Sequence, residues 1–263
     1  MTNRDIAVVV VAAGRGERLG AGKPKAFVDL VGKPLLSHAI ESISALPDLA
    51  QLIIAVPESH LTEATEAAHE LLTDADVQLD IVVGGETRQG SIANALAVLS
   101  SHANVVLVHD AARAMTPTSV FSRVADSVRK TGLSTVPVMK IADTIKRIEG
   151  EVVRETIDRN VLRAAQTPQG FVAGDLVAAY GEASQEFTDD AALMQAAGHE
   201  VLAVEGHDQA FKVTTPEDLA AAEMRFDDLS RLTSSPVLWH LRDNPAKPTE
   251  VANAPGQKLV AGM

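Results

Sequence analysis

Residues 14–25 read Gly-Arg-Gly-Glu-Arg-Leu-Gly-Ala-Gly-Lys-Pro-Lys, a glycine loop that carries Arg18, Lys23 and Lys25 directly after an apolar run. Glycine lets a backbone approach a ligand where a Cβ would clash. A small-residue loop at the end of a buried strand presents bare N–H groups, which suit an anion. Added cations make the fitting ligand strongly anionic, a nucleoside triphosphate first. Cations held where charge grows on phosphate oxygens lower the barrier to attack at phosphorus. Spacing removes two familiar fingerprints. Gly14 and Gly16 start a dinucleotide pattern, but position 19 is leucine and Gly20 comes one residue late. A P-loop needs four residues between its glycine and Gly-Lys, then Ser or Thr; Gly16 and Gly22 have five between them, and Pro24 follows Lys23.

Later segments add further chemistry. Gly84-Gly85-Glu86-Thr87-Arg88-Gln89-Gly90-Ser91 enters a helical stretch. His109-Asp110-Ala111-Ala112-Arg113 places an acid beside small residues, suited to a ribose hydroxyl or a magnesium shell. Arg159 stands in Thr156-Ile157-Asp158-Arg159-Asn160, and Lys212 in Phe211-Lys212-Val213-Thr214. Taken singly, these also read as a plain turn, a helix cap, a surface ion pair and a snorkelling lysine. The eight histidines show no metal-ligand spacing.

Something must position these segments. Apolar strand-like runs at Ile6–Ala13, Gln51–Val56, Leu79–Val83, Asn104–Val108 and Ser134–Val138 alternate with helical patterns near Pro34–Leu46, Glu58–Leu72, Arg88–Ser100 and Pro117–Arg129. That alternation predicts an α/β fold: a Rossmann-like, mostly parallel sheet with helices on both faces. Residues 139–161 break it. They are charged and alternating, with Glu149-Gly150 as a turn between Thr144–Ile148 and Val152–Ile157. This predicts a protruding β-hairpin arm that needs something to pack on. Helices at Asp175–Ala183 and Asp189–Ala197 and strands at Glu200–Val204 and Ala210–Val213 follow. Thr215-Pro216-Glu217-Asp218 opens a last helix to about Leu232. Residues 1–232 read as one domain and 233–263, rich in Pro, Asn, Ser and Gly, as a flexible tail.

Bulk properties exclude several classes. The net charge of −12 disfavours a polyanion binder, and 3% aromatics disfavours stacking on single-stranded nucleic acid. With no cysteine there are no disulfides and no thiolate sites, which fits a reducing cytoplasm. No apolar run approaches the roughly 18 residues of a membrane span. Charges flank Ile6–Ala13 closely, so a signal-peptide core is not expected.

Together, in order and spacing, Ala12–Lys25, Gly84–Ser91, His109–Arg113, Asp143–Lys146, Thr156–Asn160, Thr167–Gln169, Thr188–Asp189 and Lys212–Thr214 closely resemble the 2-C-methyl-D-erythritol 4-phosphate cytidylyltransferase family of the sugar-nucleotidyltransferase group. The resemblance spans roughly residues 5–230. It implies transfer of CMP from CTP to methylerythritol phosphate, with release of pyrophosphate, in non-mevalonate isoprenoid synthesis. It implies that Arg18 and Lys25 stabilise the pentacoordinate α-phosphate. Ala12, Ala13, Gly14, Gly16, Gly85, Glu86 and Ser91 would hold cytosine, with Asp110 and Ala111 beside the ribose. Thr144, Arg159, Thr167, Arg113 and Lys212 would position the sugar phosphate. Magnesium would sit chiefly on triphosphate oxygens, with Asp110 as the candidate protein ligand. The family is a homodimer whose arm reaches the partner's site, so Thr144 and Arg159 would act in trans. The chain departs from the family pattern at Ala114, commonly proline, and at Ala210-Phe211 before Lys212, commonly Asn-Ile. A ribitol-5-phosphate cytidylyltransferase typically shows Ala-Gly-Gly where this chain has Ala12-Ala13-Gly14, and His-Asp-Ala-Val-Arg at 109–113. A binding protein without turnover would have little reason to keep Arg18, Lys25, Arg159 and Lys212.

Overall fold

The computed structural model describes residues 4–72 and 76–234, with side chains through 226. Its strands are β1 (Ile6–Val11), β2 (Asp29–Leu30), β3 (Lys33–Pro34), β4 (Leu49–Val56), β5 (Gln78–Val83), β6 (Val105–Asp110), β7 (Ser134–Lys140), β8 (Ile145–Glu149), β9 (Val152–Ile157), β10 (Arg163–Ala165), β11 (Gln169–Val172) and β12 (Val201–Glu205). Its helices are α1 (Leu35–Ser44), α2 (Leu61–Leu71), α3 (Arg88–Leu96), α4 (Thr118–Thr131), α5 (Ala173–Glu182), α6 (Asp190–Ala196) and α7 (Pro216–Ser234).

The main sheet runs β10-β7-β11-β6-β1-β4-β5, with β12 also paired to β7. The β6-β1-β4-β5 ladder and the β7-β12 pair are parallel; β11 lies antiparallel between β6 and β7. Central strands are buried on both sides, which is why they read as unbroken apolar runs. Val8, Val10, Leu52, Ile54 and Leu107 pack on one face with residues of α1, α2 and α4. Ala7, Val9, Ile53, Val106 and Val108 point the other way, onto α3, α5 and α6. Strands and helices alternate as expected, and the Rossmann-like fold with helices on both faces is present.

β8 and β9 form a separate antiparallel ribbon, joined at the Glu149-Gly150 turn where Gly150 has φ +60°. Ile148, Val152 and Val153 on this arm are exposed, as is Val161 just beyond it.

One expectation changes. Ala210–Val213 is not a strand. Asp208–Ala210 forms a short 3-10 turn, and residues 211–214 run on outside any ladder, tied by Val213 N–H donating to the Ala112 carbonyl at 2.9 Å. Residues 167–172, to which the sequence pattern assigns no element, lead into β11, a central strand. Gly170 is required there because a Cβ would lie 2.5 Å from Val124 Cγ1 of α4 and 3.0 Å from Leu107 Cδ2.

By contacts, the chain divides into a unit over Met1–Arg225 and a second over Phe226–Met263. The expectation of a flexible tail falls outside the described residues, apart from 233 and 234 at the end of α7. No described helix is long and apolar enough to cross a membrane.

Candidate active site

The parallel strands end together, and ligands of open α/β sheets bind outside the carboxyl ends of the strands. A cleft of about 350 Å³ lies there. Its lining includes Ala12, Ala13, Gly14 and Lys25 after β1, Gly85, Glu86 and Ser91 after β5, and Asp110 and Ala111 at the end of β6. Three separate stretches of sequence thus converge where the nucleotide was expected.

Two glycine positions explain how the loops close on each other. Gly16 has φ +70°, and a Cβ on it would lie 2.8 Å from Lys25 Cβ and 2.9 Å from Lys25 N. Lys25 N–H donates to the Gly14 carbonyl at 3.3 Å, so the loop folds back and delivers the lysine to the cleft. At the second loop, a Cβ on Gly85 would lie 2.7 Å from the Gly90 carbonyl carbon. Ser91 Oγ accepts from Gly85 N–H at 3.0 Å and donates to the Thr87 carbonyl at 2.9 Å, while Thr87 caps α3 by accepting from Gly90 N–H. The Ser91 hydroxyl therefore shapes the loop as well as lining the cleft.

A second cleft of about 220 Å³ adjoins the first and is lined by Arg113, Thr167, Gln169, Thr188 and Asp189 among others. Arg88, Asp110 and Lys212 line both clefts. Asp110 holds this shared wall together: Lys212 Nζ lies 2.8 Å from its Oδ2, and Arg88 Nε lies 3.3 Å from its Oδ1. Burial opposes ionisation of Asp110, but Arg88 and Lys212 together outweigh it and hold the carboxyl well below the usual carboxylate range. Lys25 responds oppositely: burial and the nearby Lys212 push its ammonium down to about 8.

Other expected residues have more local work. Thr167 is buried, its Oγ1 accepting from Asp110 N–H at 3.1 Å and lying 3.1 Å from His109 Nδ1. His109 is fully buried, which pushes its imidazole down to about 3 and keeps it neutral. Arg113 donates to the carbonyls of Ala210 and Ala165, bracing the loop after β6. Arg18 is exposed and lines neither cleft, though its charge is close enough to depress Lys25. Lys23 pairs with Asp29 at 3.8 Å on the surface. Thr144 and Arg159 line neither cleft of their own chain; Arg159 donates to the Ala142 carbonyl at the root of the arm.

The two departures from the family pattern meet in one place. Ala114 and Phe211 both pack in a small apolar cluster with Leu19, Val28, Leu30 and Leu35. That cluster anchors the first loop through Leu19 and the Lys212 segment through Val213. Arg225 lies over the Phe211 ring, 4.4 Å from its centroid. Phe211 fills core, and Lys212 keeps its seat beside Asp110.

The observations that settle kinship are these loops and their order. A family model for 2-C-methyl-D-erythritol 4-phosphate cytidylyltransferase matches residues 6–228. The chain belongs to this family. It is similar to the 2-C-methyl-D-erythritol 4-phosphate cytidylyltransferase of Streptomyces coelicolor, 41% identical over 82% of this chain and 83% of that protein. It is also similar to the bifunctional enzyme IspD/IspF of Clavibacter michiganensis, 47% identical over 83% of this chain; the match spans about half, 53%, of that longer protein. A solved structure of the Thermus thermophilus cytidylyltransferase superposes with a TM-score of 0.68 at 33% identity, over 84% of this chain and 98% of that one.

Sequence reading left two cations of this cytidylyltransferase site without a role. Arg15 lines the first cleft, and Arg88 lines both clefts. Arg15 sits between the two loop glycines, a position that could have marked it. Arg88 was visible only as a member of its glycine motif. Its acidic partners lie 22 and 102 residues away, beyond any local pattern.

Proposed function

We propose that this protein transfers CMP from CTP to 2-C-methyl-D-erythritol 4-phosphate in isoprenoid precursor synthesis. An oxygen of the acceptor phosphate attacks the α-phosphorus of CTP, a new P–O bond forms, the α–β bridging bond breaks, and pyrophosphate leaves with that electron pair. The observation that carries this reading is the shared wall: Arg88, Asp110 and Lys212 border a glycine-lined cleft and a neighbouring cation-lined one. Two anions must meet across it. The acceptor phosphate has a second pKa of about 6 and is largely dianionic near neutrality. No general base is required. The barrier is repulsion and orientation, which Lys25 and Lys212 counter with fixed charge and position, while Arg18 adds charge from outside the cleft lining.

Ala12, Ala13, Gly14, Gly16, Gly85, Glu86 and Ser91 would hold the base, Asp110 and Ala111 the ribose. Arg113, Thr167 and Lys212 would seat the sugar phosphate. Among the described residues no group of three or more His, Asp or Glu is placed to hold a metal. Magnesium fits such a site, because it keeps waters and substrate phosphates and takes only one or two carboxylates. Asp110, which lines both clefts, is its candidate protein ligand, and the ion would neutralise triphosphate charge when bound.

We also infer a cytoplasmic homodimer in which the arm completes the partner's site. Exposed Ile148, Val152 and Val153 support this, since a lone two-stranded ribbon is marginal in water. So does the absence of Thr144 and Arg159 from the lining of their own chain's two clefts.

Pyrophosphate release tests the activity, with each nucleoside triphosphate crossed against methylerythritol and ribitol phosphates. CTP with methylerythritol phosphate is expected to turn over fastest. Faster turnover with ribitol phosphate would overturn the acceptor assignment.

A further inference from the structure

Asp190 is 1% exposed and lines neither cleft, yet it is bound at both carboxylate oxygens. Arg88 Nη2 lies 2.7 Å from its Oδ2, and the Tyr180 hydroxyl donates to its Oδ1 at 2.5 Å. Arg88 turns its Nε to Asp110 Oδ1 at 3.3 Å, and Asp110 Oδ2 takes Lys212 at 2.8 Å. The result is a chain of charge from α5 and the first residue of α6 to the wall between the clefts: Tyr180, Asp190, Arg88, Asp110, Lys212. A buried, unpaired carboxylate would be very costly. Asp190 is paired here with one cation and one hydroxyl, and the cation is the one that borders both clefts.

We propose that Asp190 and Tyr180 are positioning residues for the transfer: they lock the Arg88 guanidinium between two carboxylates, so that Asp110 keeps one oxygen for Lys212 and Lys212 stays at the acceptor side. This rests on the transfer reaction proposed above. The physical argument is competition for Asp110. With Asp190 neutralised, Arg88 has one carboxylate left. A guanidinium free to turn pairs with a carboxylate through two parallel N–H bonds, which displaces Lys212.

The test uses the full chain with Asp190→Asn and the near-isosteric Tyr180→Phe. Lys212 is 39% exposed, so its amine can be labelled with an acylating reagent and followed by peptide mass spectrometry, apart from Lys25. Labelling of Lys212 should rise severalfold in Asp190→Asn and less in Tyr180→Phe. In turnover, kcat/KM for the acceptor should fall about tenfold while KM for CTP stays within about twofold, the signature of a misplaced group and not of a damaged nucleotide cleft. Unchanged labelling and acceptor parameters in folded variants would overturn the proposal, as would a parallel loss of CTP binding. If Asp190→Asn does not fold, Tyr180→Phe decides alone. If the wild type shows no turnover with methylerythritol phosphate, the reaction assignment fails, and the labelling comparison still decides whether Asp190 holds Lys212.

Discussion

Burial and the charge of Lys212 bring the Lys25 ammonium from 10.5 down to about 8, which gives one residue control of the alkaline limb. The useful form is the charged one, so kcat/KM for CTP should fall as pH rises through about 8. Bound triphosphate adds negative charge beside the amine and raises its pKa. The limb in kcat, which reports the nucleotide complex, should therefore lie at higher pH than the limb in kcat/KM. Stability moves in the opposite direction. The folded pKa lies below the unfolded one, so the unfolded chain binds more protons between about 8 and 10.5, and the free protein should gain stability across that window as pH rises. Parallel pH profiles of kcat and kcat/KM check the assignment. Coincident limbs would mean that Lys25 does not touch the triphosphate. Lys25→Ala should lower kcat far more than CTP affinity, since its charge matters most as the transition state forms.

Elements set how far that charge can be trusted to stay in place. The loop after β1 holds Lys25 by folding Gly16 against it, with φ +70° and no room for a Cβ. Gly16→Ala combines a left-handed conformation, costing about 1–3 kcal/mol in a non-glycine residue, with a direct collision on Lys25. Gly20 has φ +67° but open space around its Cβ position, so Gly20→Ala carries the strain without the collision. Calorimetric CTP titration of both variants should show at least about a tenfold greater loss of affinity for Gly16→Ala, equivalent to about 1.4 kcal/mol. Equal losses would show that the contact with Lys25 is unimportant. The same elements show what sequence could convey. β1, β4 and β6 were legible because both their faces are apolar, and the loops after β1, β5 and β6 were legible from their glycines and charges. β11 was not, because Pro168 and Gly170 resemble a turn and only the approach of α4, at Val124, explains the glycine. Phe211 and Val213 suggested a strand, but they are apolar because they pack beside Leu19 and Ala114, not because they join the sheet. The arm was legible from its turn and its charge. The Arg88–Asp190 pair was not, since it joins residues 102 positions apart.

At the scale of the molecule, a net charge of −12 surrounds clefts lined by Arg15, Lys25, Arg88, Arg113 and Lys212. Concentrated cations on an acidic body favour one anionic ligand over polyanions in general. One part of that constellation stands apart: Arg159 and Thr144 belong to the arm and line neither cleft of their own chain. If the arm serves a partner's site, defects in Arg18 and Arg159 lie in different subunits of each working site. Arg18→Ala and Arg159→Ala homodimers should each be nearly inactive. In a randomly mixed population, half the dimers are mixed, and each mixed dimer has one site carrying both defects and one carrying neither. Activity should then return to about a quarter of the wild-type value. If the arm instead serves its own chain, every site in a mixed dimer keeps one defect and no activity returns. Subunit exchange, verified by mass spectrometry of the intact dimers, makes the comparison decisive: exchange without recovery excludes the trans arrangement, and recovery near a quarter requires it.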